Sequence, residues 1–267
     1  MKPGSVNGAS AVVTGGARGI GRGIAESLVS RGYHVVLTDI DGDGARRTAE
    51  EIGAVAGLQQ DVRNEASHLA VAEEARRHGK LVAWFNNAGV GNDGSLAELS
   101  SSEVEQLVQV NLMGVIWGMR AALAAFGSEG GDIVNTASLS GHGPVPGLSV
   151  YAATKAAVVS LTMSVHVEAP GKVRVHALCP DGVATAMVES MKHHGRAKAL
   201  VHSGGRLLLV EETAAAAVEL LGSKRVIRSV PAWRAGLMRL TSVTPSVSMK
   251  AEKLFLWEGR RRMRKQA

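Results

Sequence analysis

The chain has a single cysteine, Cys179, among its 267 residues. An internal disulfide is excluded, and so is a zinc cluster built on thiolates. Aromatic residues are scarce at 3%, and only two are tyrosines, Tyr33 and Tyr151. No uncharged apolar run reaches the roughly eighteen residues of a membrane-spanning helix, so none is expected. The first ten residues, MKPGSVNGAS, lack the apolar centre of a secretory signal. No internal repeat is visible, and no spacing of His and carboxylate residues suggests a metal site. These absences predict a soluble, cytoplasmic protein in a reducing compartment.

Charge is present but unevenly placed. The formal net charge is +6, from 30 Lys and Arg against 24 Asp and Glu. Residues 250–267 hold seven of those cations and two of the anions, a net of +5, which leaves +1 for residues 1–249. Basicity therefore belongs to the C-terminal segment and not to the body. A nucleic-acid-binding fold is not expected on this distribution.

The body reads as one domain over 1–249, with strand-like runs alternating with helix-like stretches. Ala9–Thr14, Tyr33–Thr38, Ala54–Gln59, Leu81–Phe85, Asp132–Thr136 and Lys172–Leu178 are continuous apolar runs of the buried parallel-strand kind. Between them, Ala45–Ile52, Asp61–Arg77, Ser102–Phe126 and Tyr151–Glu168 have helical character, with a kink expected near Gly114. Alternation of this sort predicts an α/β fold, a single doubly wound Rossmann domain whose parallel sheet carries helices on both faces. Ligands then bind at the carboxyl ends of the strands.

Thr14-Gly15-Gly16-Ala17-Arg18-Gly19-Ile20-Gly21 stands between the first strand and the first helix. Gly15 permits a sharp turn, Gly19 a close approach of backbone to a pyrophosphate, and Gly21 close packing of helix on sheet. The helix start at Gly19 and Ile20 offers unpaired N–H groups to phosphate. Asp39 ends the second strand, where a carboxylate accepts from ribose hydroxyls and repels a 2′-phosphate. NAD is favoured on that ground, while Arg18 leaves NADP open, because a guanidinium pairs with a 2′-phosphate. Asp61, followed by Val62, is either an acceptor for the adenine amino group or a helix cap.

Tyr151 begins a helix and Lys155 follows four residues later, on the same face. A phenol needs roughly 4 kcal/mol to bring its pKa near 7, about what an ammonium ~4 Å away supplies at an effective dielectric near 20. That pair suits general acid/base chemistry. Ser138 follows the fifth strand and is placed to polarise a carbonyl, with Ser140 as a rival. Asn111, in the long helix before that strand, is placed to hold a water or backbone group near Lys155.

With Thr14, Gly15, Gly19, Gly21, the run Asn86-Asn87-Ala88-Gly89, Asn111, Ser138, Tyr151 and Lys155 in this order, residues 8–190 resemble the compact branch of the short-chain dehydrogenase/reductase family. The resemblance implies that Tyr151 is the catalytic acid/base and that Ser138 positions substrate and tyrosine. It implies that Lys155 binds the nicotinamide ribose and lowers the tyrosine pKa, and that Asn111 supports a proton relay. Asn87, Ala88 and Gly89 would line the cofactor, as would Pro180, Val183 and Thr185 after the sixth strand. An oxidoreductase for a secondary alcohol or ketone follows, assembled as a homodimer or homotetramer. A non-catalytic dinucleotide-binding regulator on the same fold is the alternative.

Two departures stand out. Asp181 occupies the place of the family's glycine after Pro180, and the family's short last strand with its Asp-Gly-Gly-like close is not evident. The substrate is expected to meet Ser138, Ser140, His142, Val145 and Met187, with Leu148, Met191, His193 and His194 nearby and a lid over 187–205. The apolar members suggest a lipophilic substrate. The segment 250–267 is read first as a solvated end, then as a partner-binding helix, then as a peripheral membrane contact.

Overall fold

A computed structural model describes residues 8–191, 195–243 and 245–266. Seven parallel strands form one sheet in the order β3-β2-β1-β4-β5-β6-β7. They are β1 (Ala9–Thr14), β2 (His34–Asp39), β3 (Ala56–Gln59), β4 (Lys80–Asn86), β5 (Gly131–Thr136), β6 (Val173–Pro180) and β7 (Ile227–Val230). From β1 the chain winds outward to β2 and β3, then returns to pair β4 with the other side of β1. The switch point thus lies between β1 and β4, and a crevice opens at their carboxyl ends.

Alternation along the strands divides the core in two. Val12, Trp84 and Ile133 face one layer, with Val115, Met119, Val158 and Val159 of the covering helices. Ala11, Val13, Phe85, Val134 and Leu178 face the other, against Ile24, Leu28 and Ala217. The layers contain α1 (Gly19–Val29), α2 (Gly42–Ile52), α3 (Glu65–Arg77), α4 (Ser101–Val108), α5 (Gly114–Phe126), α6 (Ser149–Glu168), α7 (Ala186–Glu189), α8 (Arg196–His202) and α9 (Val210–Val218).

Several expectations need correcting. The long helix is not a single α-helix: a π-helical turn over Gln109–Met113, ending just before Gly114, joins α4 to α5. A last strand exists: β7 pairs in parallel with β6, from Ala177 opposite Ile227 to Pro180 opposite Val230. Two further helices follow, α10 (Ala232–Val243) and α11 (Pro245–Gln266). The division expected after residue 249 falls inside α11, which is laid on α8 and is not a solvated tail. The stretches Ser101–Glu129 and Ser149–Glu168 are long and apolar enough to cross a membrane by length and composition, a test that tolerates the charges an uninterrupted run does not. Both supply core residues beside the sheet.

Candidate active site

The end of β1 is knotted to the end of β4. Thr14 Oγ1 accepts from the backbone N–H of Asn87 at 3.0 Å and of Ala88 at 3.1 Å. Asn87 Nδ2 donates to the carbonyls of Thr14 and Gly15, each at 3.2 Å, and its Oδ1 accepts from Thr136 Oγ1 at 3.2 Å. Asn87 therefore braces three strand ends, and its side chain is committed to that task. The brace leaves no room for a side chain at Gly15 or Gly21. A Cβ on Gly15, whose φ is +66°, would lie 2.7 Å from Cα of Ala88, and one on Gly21 would lie 1.9 Å from the Gly15 carbonyl oxygen.

Helix α1 starts at Gly19 with no side chain capping its first turn. Its free N–H groups form an anion-binding end. Asp39 closes the same corner: Oδ2 accepts from Ala17 N and Oδ1 from Asp41 N, both at 3.1 Å. Gly15, Arg18, Gly19, Ile20, Asp39 and Val62 all line one cavity of about 1040 Å³. Arg18 is exposed at its rim. An acceptor, an uncapped helix start and a glycine-rich loop in one cavity fit a dinucleotide.

Asp61 lines this cavity too, but it is not a helix cap. Asn64 caps α3 by accepting from Ala66 N at 3.0 Å. Asp61 is gripped by the fork of Arg63, with Nε 2.9 Å from Oδ1 and Nη2 2.6 Å from Oδ2. That hydrogen-bonded pairing holds its carboxyl below the ordinary carboxylate range.

At the other end of the cavity lie Ser138, Tyr151 and Lys155, joined there by Ala88, Gly89, Pro180, Val183 and Thr185. Lys155 is buried, and its Nζ donates to the Thr136 carbonyl at 2.8 Å. The same Nζ lies 5.7 Å from the centre of the Tyr151 ring. Tyr151 and Ser138 line the same end of the cavity, and the serine hydroxyl favours the ionised phenol. Ser138 Oγ is 3.0 Å from Ser140 Oγ and accepts from Ser140 N at 3.2 Å, which fixes the pair on the short turn after β5.

The electrostatics differ from the expectation that Lys155 lowers the tyrosine pKa. Burial pushes the Tyr151 phenol above its usual value, against a smaller opposing effect of the Ser138 hydrogen bond. Burial also brings the Lys155 ammonium down to about 8. Both groups lose water in the same crevice, and that loss is the largest cause of each shift. In this arrangement the phenol is protonated at neutral pH.

Asn111, fully buried in the π-helical turn, is a clamp. Its Oδ1 accepts from Val90 N at 2.8 Å and its Nδ2 donates to the Val90 carbonyl at 2.9 Å. This ties the loop after β4 to the long helix. A Cβ on Gly89 would meet Asn111 Oδ1 at 3.2 Å and Lys155 Nζ at 3.6 Å, so the clamp lies beside the lysine. π-helical turns inside α-helices recur at functional sites.

Val145, Leu148, Met187 and Met191 line the cavity beyond Ser138, as the sequence suggests. His142 does not. It is buried and turned to β7, with Nε2 3.0 Å from Ser229 Oγ. Burial there drives its pKa down. His193 and His194 lie outside the described residues.

Sequence reasoning missed the contribution of the C-terminal helices. Leu237 and Met238 of α10 and Phe255 of α11 reach the same cavity. Asp181 pairs with Arg234 of α10 at 3.1 Å, and Arg234 Nη2 donates to Leu200 O and Ser203 Oγ, each at 3.0 Å. Asp181 in the place of a family glycine was the available signal; its partner 53 residues later had none.

A glycine-lined nucleotide crevice that ends on a serine, a tyrosine and a buried lysine is the architecture of dinucleotide-dependent dehydrogenases and reductases. The chain belongs to the short-chain dehydrogenase family, whose sequence profile matches residues 9–196. A sorbitol dehydrogenase from Cereibacter sphaeroides is 39% identical over 163 residues, 60% of this chain and 64% of that protein, just under two thirds of its length. A 3-beta-hydroxysteroid dehydrogenase from Comamonas testosteroni is 32% identical over 73% of this chain and 79% of its own. Among solved structures, a short-chain dehydrogenase/reductase from Burkholderia phymatum in complex with NAD superposes with a TM-score of 0.79 at 30% identity, over 91% of this chain and 95% of that one.

Proposed function

We propose that the protein transfers a hydride between NAD and a lipophilic secondary alcohol or ketone, with Tyr151 as proton donor and acceptor. The observation that carries this reading is that Ser138, Tyr151 and the buried Lys155 line one largely apolar cavity together with the glycine loop. The NAD-bound relative supports the cofactor class, and the hydroxysteroid relative supports an apolar substrate.

Nicotinamide dinucleotide, when bound, supplies or accepts the hydride. Gly15, Gly19 and Ile20 would hold its phosphates, and Asp39 its adenosine ribose. Ser138 Oγ polarises the substrate carbonyl. Tyr151 Oη gives its proton to the substrate oxygen in reduction and takes it from the hydroxyl in oxidation. Lys155, anchored on Thr136, holds positive charge beneath the phenol and steadies the phenolate left by proton donation. Asn111 keeps the Val90 backbone, and so the wall of the crevice, in place.

Turnover at 340 nm on a panel of secondary alcohols and ketones, with NAD and NADP, tests the reading. Apolar substrates should be turned over in preference to polyols, and faster with NAD. Dinucleotide binding without turnover of any substrate would favour a non-catalytic regulator. We further infer a homodimer or homotetramer, because Met163 and Val167 on α6 are 45% and 84% exposed. A monomer by light scattering would contradict this.

A further inference from the structure

Helix α11 has two unlike faces. Inward, Phe255 lines the substrate end of the cavity, and Gly259 is buried where α11 crosses α8. A Cβ at Gly259 would lie 1.8 Å from the Ala199 carbonyl oxygen, so the two helices touch backbone to backbone. Outward, at helical spacing, stand Lys253, Leu254, Trp257, Arg260, Arg261 and Arg264. All six are exposed, Leu254 to 64% and Trp257 to 58%. The Arg261 guanidinium lies 5.4 Å over the Trp257 ring. Glu258 is taken up by Arg262 at 2.7 Å and Arg261 at 3.5 Å, so it does not neutralise Lys253, Arg260 or Arg264.

We propose that this outer face of α11 docks on an anionic lipid surface. The charge pattern identifies the occupant. A second copy placed across a two-fold axis would set these four cations against their own counterparts. An anionic bilayer meets them with opposite charge, while Trp257 and Leu254 enter the headgroup region, the pattern of a helix lying in the interface plane. Nucleic acid would satisfy the arginines but leave Leu254 without an apolar partner. Because Phe255 lines the cavity on the inner side of the same helix, docking brings the substrate compartment to the membrane, where a lipophilic alcohol or ketone concentrates. The docking itself does not depend on the reaction proposed above.

The test is co-sedimentation of the full-length protein with vesicles of phosphatidylcholine alone, and of phosphatidylcholine with phosphatidylglycerol, near 0.1 M salt. Binding to the anionic vesicles alone is expected, with a blue shift of tryptophan fluorescence. Arg260→Glu/Arg264→Glu should weaken it at least tenfold and Trp257→Ala severalfold, with melting temperature and dinucleotide binding unchanged. Absence of binding to anionic vesicles, or equal binding to both kinds, overturns the proposal. So does a Trp257→Ala protein that binds as before, or tighter retention on duplex DNA than on the vesicles.

Discussion

Asp181 and Arg234 meet at 3.1 Å beside α8, with side chains 16% and 13% exposed. One guanidinium thereby joins the loop after β6, helix α8 and the C-terminal helix α10. The path is tight, for a Cβ on Gly204 would lie 1.4 Å from Arg234 Nη1. Burial pushes the Asp181 carboxyl above its ordinary pKa, and Arg234 opposes the rise.

Breaking this latch from one side leaves the other charge nearly buried and alone. Arg234→Met should cost about 3 kcal/mol of stability, whereas Asp181→Leu/Arg234→Met, which removes both charges, should recover most of it. Denaturant titration of the single and double variants decides this. A latch that also holds the lid predicts a KM raised more than kcat is lowered in Arg234→Met.

Asp39 sits beside the glycine loop with both oxygens held by backbone N–H groups. A carboxylate about 5 Å from a 2′-phosphate at an effective dielectric near 20 costs on the order of 3 kcal/mol per unit charge. Asp39→Ala should therefore shift the ratio of kcat/KM for NAD over NADP toward NADP by roughly a hundredfold. An unchanged ratio would pass the selection to Arg18 or elsewhere.

Lys155 has its pKa lowered to about 8 in the folded chain, by burial. The unfolded chain, with an ordinary lysine, binds that proton up to about pH 10.4. Between these values the unfolded state holds more protons, so stability must rise with pH through this window. Below pH 8 both states are protonated and the lysine is a constant cost. Melting temperature measured from pH 7 to 10 should climb in the wild type relative to Lys155→Met. Parallel curves would mean that the ammonium is not desolvated.

Much of this architecture was legible from local pattern. Ala9–Thr14 and Asp132–Thr136 read as buried parallel strands because both of their faces are covered, which leaves unbroken apolar runs. Tyr151 and Lys155 were found because one helical turn separates them. What escaped depends on distant pairing. Nothing in the sequence around His142 says that Ser229 will take its imidazole, and nothing around Asp181 names Arg234. The π-helical turn at Asn111 has no propensity signal, and the Val90 backbone that its side chain clamps lies 21 residues away. Helical spacing likewise reports that a lysine is near Tyr151, but not that both groups are desolvated together.

The central claim is that one phenol moves the proton. Tyr151→Phe removes that proton and little else, and single-turnover hydride transfer at 340 nm measures the result, with dinucleotide affinity followed by fluorescence. The account predicts a rate lowered by about a thousandfold at retained affinity. Hydride transfer at the wild-type rate in Tyr151→Phe would contradict it.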